Sequence, residues 1–381
     1  MHKVFSILLF LCITILYIPN IQADAYTPNS KASFLIEVSS ERVLYAKNEN
    51  ERLYPASMTK MMSLYLIMEA INQGHLNYTD EVVISEHAAS MGGSQIWLKP
   101  YEIMSVDALL RAVAIASAND AVVALAEKIA VSEENFVTLM NQQAQEWGLE
   151  NTHFMNTSGL HHEEHYSTAK DMAIIALHLI QEGKEKLLSY TSMYDSYVRE
   201  ESDAEVWLVN TNKLLRTLEG TDGLKTGYTS QAGYCITLTT KKDGLRLVGV
   251  VMKEPTNKIR DQEVRKLMEY GFSLYTSTIL HQKGESVAVF HDIQGKPSTS
   301  ELYVEDDVKL HYLKDSDEAK YDSQLTLLPY TLPLQAGQMI GVMEYRSDDG
   351  TKSIVDVFIK DHIEKLSYWD YVVLALSELI I

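Results

Sequence analysis

A serine and a lysine three residues apart, in Pro55-Ala56-Ser57-Met58-Thr59-Lys60, are the first residues of this chain that could do chemistry together. The run that follows, Met61 to Ile71, is apolar, with Met61, Leu64, Tyr65 and Met68 at helical spacing. A helix starting near Ser57 makes its hydroxyl and the Lys60 amine neighbours on one face. It also sets Ser57 at the positive end of the helix, where an anion is favoured. Such a pair suits acyl transfer, the oxygen attacking a carbonyl while a base takes its proton. The same residues also read as an N-cap serine with a solvated lysine, and the spacing alone does not separate the two.

Two further elements do. Ser117-x-Asn119 falls where one expected helix ends and the next begins, and Lys225-Thr226-Gly227 opens a strand after Thr221-Asp222-Gly223, read as a turn. Alone, each is an ordinary cap or strand entry. In order, 60 and 108 residues apart, the three make up a set shared by penicillin-binding proteins and class A β-lactamases.

With these motifs the chain resembles the low-molecular-mass penicillin-binding proteins, specifically the serine D-alanyl-D-alanine carboxypeptidases. The likeness runs from about Ser33 to Phe272. It includes Ser117-Ala118-Asn119-Asp120-Ala121, Phe154-Met155-Asn156-Thr157-Ser158-Gly159-Leu160 and His165-Tyr166-Ser167-Thr168-Ala169. It also includes Asp222-Gly223-Leu224-Lys225-Thr226-Gly227-Tyr228-Thr229 and Ala232-Gly233-Tyr234-Cys235. Lys253-Glu254 departs from the pattern, as does Pro100-Tyr101 before Glu102, and neither touches a catalytic motif.

The resemblance implies roles. Ser57 is the nucleophile, Lys60 its base, and Ser117 a bridge between Lys60 and Lys225 that relays a proton to the leaving amine. Asn119 orients Lys60 and the substrate amide. Lys225 and Thr226 hold the terminal carboxylate of a peptidoglycan stem peptide ending in D-Ala-D-Ala, with Gly227 and Tyr228 also in the substrate-binding set. The oxyanion hole falls to the backbone N–H groups of Ser57 and Tyr228. β-Lactams are implied as covalent inhibitors, and no cofactor or metal is called for. One physical demand stands apart from the family: an ordinary lysine is neutral at pH 7 in roughly one molecule of 2,500, so Lys60 needs its ammonium destabilised by about 4–5 kcal/mol. Burial and a nearby cation, here Lys225, both shift it in that direction.

Other readings share the motifs. A class A β-lactamase needs a deacylating glutamate, and Glu146 in Glu146-Trp147-Gly148-Leu149-Glu150-Asn151 comes close, with its asparagine one place late. A D,D-endopeptidase differs only in the bond attacked. A non-hydrolysing penicillin sensor calls for a transducing membrane segment, whereas a cleavable leader is what the N-terminus suggests. His161, His162 and His165 could suggest a metal, but they sit in a stretch the family pattern already explains.

The elements that must position these residues follow from periodicity. Ser33-Val38 and Arg42-Tyr45 read as a hairpin. Helices are expected over Val106–Ile115, Ala121–Ile129, Glu133–Trp147, from Ser167 to Ile180, and over Arg260–Tyr275. Strands are expected at Tyr234–Thr239 and Leu245–Met252. Strands at both ends with helices between imply an α+β domain, an antiparallel sheet with helices on its faces, of the β-lactamase/transpeptidase type given the resemblance. From about Gly284, short strands at Val287–Phe290, Val308–Leu313, Leu325–Leu328, Met339–Tyr345 and Ile354–Ile359 imply a small all-β domain.

The ends and composition bound the rest. His2-Lys3, the apolar run Val4–Ile18 and Ala23-Asp24-Ala25 read as a secretory signal peptide. The expected division is a leader over 1–25, a peptidase domain over 26–280, an all-β domain over 281–362 and an amphipathic helix over 363–381. That last segment, with Tyr368, Trp369 and Tyr371, would lie on a membrane surface at the outer face of the cell envelope, although Lys365 is its only cation. Past the leader only Cys235 remains, in a strand, so no internal disulfide is available and a buried thiol is expected. A net charge of −19 argues against a nucleic-acid partner.

Overall fold

The computed structural model describes residues 25–200, 202–316 and 320–378, so nearly all of the expected leader lies outside the described residues. The chain opens on a hairpin, β1 (Ala32–Glu37) and β2 (Val43–Lys47). A short 3-10 turn, Ala56–Thr59, then leads into α1 (Lys60–Asn72). Ten of the thirteen residues of α1 are buried, Lys60 among them, so it is a central helix rather than a surface one. The small ribbon of β3 (Glu81–Val83) and β4 (Ile103–Ser105) encloses α2 (Glu86–Ala89).

The expected helix over Val106–Ile115 is α3 (Val106–Arg111) followed by a π-helical turn, Ala112–Ala116. That turn ends on Ser117 in the left-handed region, φ 62°. α4 (Asn119–Ala130) and α5 (Glu133–Glu146) follow, and an irregular stretch leads to α6 (Ala169–Thr191). α6 runs well past Ile180. Leu187 and Tyr190 bury on it beyond a bend at Lys184, and no side chain but glycine fits at Gly183 against Leu187.

β5 (Asp195–Val198) and β6 (Val206–Val209) form a ribbon that the sequence reading lacked, because no glycine turn signal joins them. β7 (Thr221–Thr229), β8 (Gly233–Lys242) and β9 (Leu245–Glu254) complete a five-stranded antiparallel sheet ordered β2-β1-β9-β8-β7. Thr221-Asp222-Gly223 lies within β7 rather than in a turn. The chain reverses at Gly220 instead, and Asp222 pairs with Arg246 across the sheet, at 2.7 Å to Nη2. α7 (Asn257–Ser273) covers one face through Val264, Leu267 and Met268 against Leu35, Ile236 and Leu238. α6 and α1 cover the other, over Phe34, Cys235 and Val250, with α4 packed on α1 behind them. Cys235 is a buried free thiol, as expected.

The C-terminal part is all-β. β10 (Tyr275–His281) pairs with β14 (Val308–Leu313), so the expected division after residue 280 falls at the end of this strand. β11 (Ser286–His291), β13 (Thr299–Tyr303), β15 (Tyr321–Leu327), β16 (Met339–Ser347) and β17 (Lys352–Ile359) form a second five-stranded sheet over Phe290, Leu310, Ile340 and Ile359. A short pair, β12 (Gly295–Lys296) with β18 (Glu364–Lys365), precedes α8 (Tyr368–Glu378). The terminal helix therefore starts later than the expected Ile363, because Ile363 is fully buried in the β core and Glu364-Lys365 are held in a strand. The two parts touch through Lys309 Nζ to Asp243, 2.8 Å, and Arg42 Nη2 to the Asp349 carbonyl, 2.8 Å.

Candidate active site

The three motifs arrive from three elements. The turn before α1 brings Ser57 and Lys60, the π-turn into α4 brings Ser117 and Asn119, and the edge strand β7 brings Lys225 to Tyr228. Two glycines let these backbones meet. A Cβ on Gly227 would lie 2.6 Å from the Pro55 carbonyl oxygen and 3.2 Å from the Ser57 nitrogen. One on Gly159, at φ +84°, would overlap the Ala56 carbonyl. The nucleophile turn is thus wedged between a strand on one side and the 156–160 loop on the other.

Lys60 is fully buried, and its Nζ has three neighbours: Asn119 Oδ1 at 2.7 Å, the Ser158 carbonyl at 2.7 Å and Ser57 Oγ at 3.0 Å. Burial is the largest cause holding its pKa well below the ordinary value. The Lys225 charge adds to that, and Asp120 partly opposes it. A neutral amine has two N–H groups and one lone pair. The two carbonyl oxygens take the N–H groups, and the lone pair is left for the Ser57 hydroxyl proton. This is the arrangement a general base requires.

Lys225 is also buried, and burial with the Arg260 charge brings its pKa down to about 7. Its Nζ makes one hydrogen bond, to the Thr226 carbonyl at 3.1 Å, which leaves most of its donor capacity for an anion. Thr226 Oγ1 donates to Thr211 Oγ1 at 2.7 Å, a partner with no sequence signature, and so presents its lone pairs. Tyr228 is exposed at the end of the strand and lies 4.3 Å from the Tyr234 ring. Ser117 Oγ is buried without a hydrogen-bond partner. The expected bridge from Ser117 to the two lysines is therefore not formed here, since the Lys60 N–H groups already go to Asn119 and Ser158.

Around this centre lies support that sequence reasoning missed. Asn119 Nδ2 donates to the Gly92 carbonyl and its N–H to the Ser94 carbonyl, both at 2.7 Å. Asp120 accepts from the N–H groups of Ile96 and Leu98, each at 3.0 Å, so the pair Asn119-Asp120 holds the loop beside the cleft. His165 is no free metal ligand. Its Nδ1 accepts from the Met155 N–H at 3.3 Å, so its Nε2 donates to Thr59 Oγ1 at 2.8 Å. Burial takes its pKa down to about 3 and keeps it neutral. His161 and His162 are exposed, and His161 lies edge-on to Tyr54. Glu146 is exposed at the end of α5, where Gln143 bonds it at 3.2 Å, and no contact with Ser57 or Lys60 is found. Lys253 and Glu254 end β9, where they line a pocket with Tyr228 and Tyr234, with Glu254 buried and its pKa raised to about 8, first by burial and then by Glu263.

Against known proteins, residues 20–256 match the family model described as D-alanyl-D-alanine carboxypeptidase. Residues 275–365 match the model for the C-terminal domain of penicillin-binding protein 5. D-alanyl-D-alanine carboxypeptidase DacF of Bacillus subtilis is 42% identical over 340 residues, 89% of this chain and 87% of that protein. The solved structure of penicillin-binding protein 5 from Haemophilus influenzae aligns with a TM-score of 0.64 at 32% identity, over 88% of this chain and 98% of that one. Penicillin-binding protein D2 of Listeria monocytogenes in its cefotaxime-bound form aligns at 0.58 and 30% identity, over 64% of this chain and 97% of that one.

Proposed function

This chain belongs to the D-alanyl-D-alanine carboxypeptidase family, and from that premise we propose how its residues carry out the serine carboxypeptidase reaction on peptidoglycan stem peptides. The observation that carries the reading is the Lys60 amine, buried, depressed in pKa and 3.0 Å from Ser57 Oγ.

The peptide enters along β7, the open edge of the sheet, as an added antiparallel strand. Its terminal carboxylate is held by Lys225, and by the Thr226 hydroxyl once its proton turns from Thr211 Oγ1 to the carboxylate. Ser57 Oγ attacks the carbonyl between the two D-alanines as Lys60 takes the hydroxyl proton. The oxyanion is stabilised by the N–H groups of Ser57 and Tyr228, a donor pair in which one loss typically costs about 10²–10³ in rate. The C–N bond breaks and the departing D-alanine takes the proton held by Lys60; the Ser117 hydroxyl, unpartnered in the free chain, relays it once the bound peptide brings the leaving amine against it. Water then hydrolyses the ester at Ser57 with Lys60 again as base, regenerating the enzyme. A β-lactam ring opens onto the same serine, and its carboxylate fits the same lysine and threonine. The cefotaxime-bound relative supports that use of the site.

Export follows from the signal-like N-terminus, and attachment to the outer surface of the membrane from α8. Tyr368, Trp369, Tyr371 and Val373 are exposed on that helix, which suits the headgroup region. Among the described residues no helix is long and apolar enough to cross a membrane. The test of the nucleophile is intact mass after incubation with benzylpenicillin: the native chain gains one penicilloyl group, and Ser57→Ala gains none. An adduct on the Ser57→Ala chain would remove Ser57 from the mechanism.

A further inference from the structure

The Ser158 carbonyl is one of the two acceptors that fix Lys60, yet it is a backbone group in an irregular stretch with no helix or strand to hold it. Within the stretch, Asn156 Oδ1 accepts from the Ser158 and Gly159 N–H groups at 3.2 and 2.7 Å, and the residue before Ser158 is tied to a carboxylate on another element. Glu133, in the first turn of α5, directs Oε1 at Thr157, accepting from its N–H at 2.9 Å and from its hydroxyl at 2.8 Å. Thr157 is in turn fixed on its carbonyl by Ser63 Oγ of α1, at 2.7 Å. The other oxygen of Glu133, Oε2, meets His87 Nε2 of α2 at 3.0 Å. Thr157 and Ser158 are both fully or almost fully buried, and Glu133 is nearly so.

We propose that Glu133 is a positioning residue for Lys60: through Thr157 it holds the Ser158 carbonyl where it takes one N–H of the amine, and His87 holds Glu133 from the solvent side. The reading rests on Lys60 as the base for Ser57. Its logic is that of orientation. An amine whose second N–H has no acceptor rotates, and its lone pair leaves the serine proton. Charge acts in the same sense, because a carboxylate accepting two hydrogen bonds from one residue binds it more firmly than a neutral acceptor would. His87 has its pKa raised, chiefly by the hydrogen bond to Glu133, with Glu127 and Glu134 adding to the field around it. The pair is thus an ion pair over more of the pH range than a free histidine would allow.

The test is steady-state D-alanine release and single-turnover acylation by a penicillin, both scaled to folded protein, on the full chain. For Glu133→Ala, kcat and the acylation rate should fall about tenfold to a hundredfold, as for a slight misplacement of a catalytic group. KM should stay within about twofold, because no substrate contact is lost. Glu133→Gln keeps an oxygen for Thr157 and should restore most of the rate. Thr157→Val removes only the hydroxyl contact and should lower kcat in the same sense, by less. It also serves as the test if the alanine variant fails to fold. A merely structural role would lower the melting temperature and leave the rate per folded molecule unchanged, and that result in either variant would overturn the proposal. So would a glutamine variant as slow as alanine. Ser57→Ala is run alongside: an adduct there would sink the Ser57 mechanism, whereas its absence with a normal rate for Glu133→Ala would sink only this inference.

Discussion

Two buried lysines share the cleft, and their surroundings divide their work. Lys60 is fully buried and lies near the Lys225 charge, which together hold its pKa well below the ordinary value, so it serves as a base. Lys225 keeps its charge to about pH 7 and serves as an anion receptor. The sign of the pH dependence follows. Lys225 is cationic below about pH 7 and neutral above it, so recognition of a C-terminal carboxylate weakens as pH rises through that value. For a D-Ala-D-Ala peptide, kcat/KM should therefore fall on the alkaline side with a midpoint near the free-enzyme value of about 7. Lys225→Arg stays charged throughout and should move that limb upward, even at a lower maximum rate. A limb unchanged by the arginine would assign it to another group. The catalytic types were legible in the sequence because acyl transfer restricts them to a few side chains at fixed spacing. The Ser158 carbonyl, Glu133 and Thr211 were not, because a backbone oxygen has no residue type and their partners are distant in the chain.

At the scale of elements, the site depends on β7 approaching the Ser57 turn more closely than a side chain permits. A Cβ at Gly227 would lie 2.6 Å from the Pro55 oxygen and 3.1 Å from the Ala56 Cβ. Gly227→Val should therefore push strand and turn apart, costing about 1–3 kcal/mol as an overpacked contact. Acylation should fall far more than the melting temperature, and a normal acylation rate would show that the close approach is dispensable. The elements read correctly from sequence were those with strong periodicity: α4, α5, β8, β9 and most of the second sheet. Those misread have local signals that tertiary packing overrides. Asp222-Gly223 looks like a turn but is held in β7 by Arg246, and the helix expected to reach Ile180 runs on to Thr191, with Leu187 packed against Gly183. The β5–β6 ribbon has neither glycine nor proline at its connection, so nothing local announced it.

For the whole molecule, a peptidase unit with a cleft at its sheet edge is joined to an all-β unit that carries α8 at its far end of the chain. The layout was legible as a change from helices among long strands to short recurrent strands, and the order of the two units agrees with the matched family models. Where the tail begins was not legible, since Ile363 reads as part of an apolar helix yet fills the β core, and the Leu334 backbone bonds it. This sets how the membrane role is tested. A chain ending at Leu366 keeps Ile363 and β18, so it should release D-alanine at the native rate and no longer sediment with lipid vesicles. A chain ending at His362 loses a fully buried isoleucine and should melt earlier, by the roughly 2–5 kcal/mol typical of emptying such a site. Vesicle binding that survives the Leu366 truncation would place the membrane contact elsewhere.

The central claim is that Ser57, with Lys60 as its base, cuts between two terminal D-alanines. The most direct measurement is D-alanine release from a pentapeptide ending in D-Ala-D-Ala, with penicillin hydrolysis followed in parallel, in the native chain and in Ser57→Ala. The account predicts rapid D-alanine release and slow penicillin turnover in the native chain, with both lost in the variant. Rapid penicillin hydrolysis without D-alanine release would contradict it and make Glu146 the next residue to change.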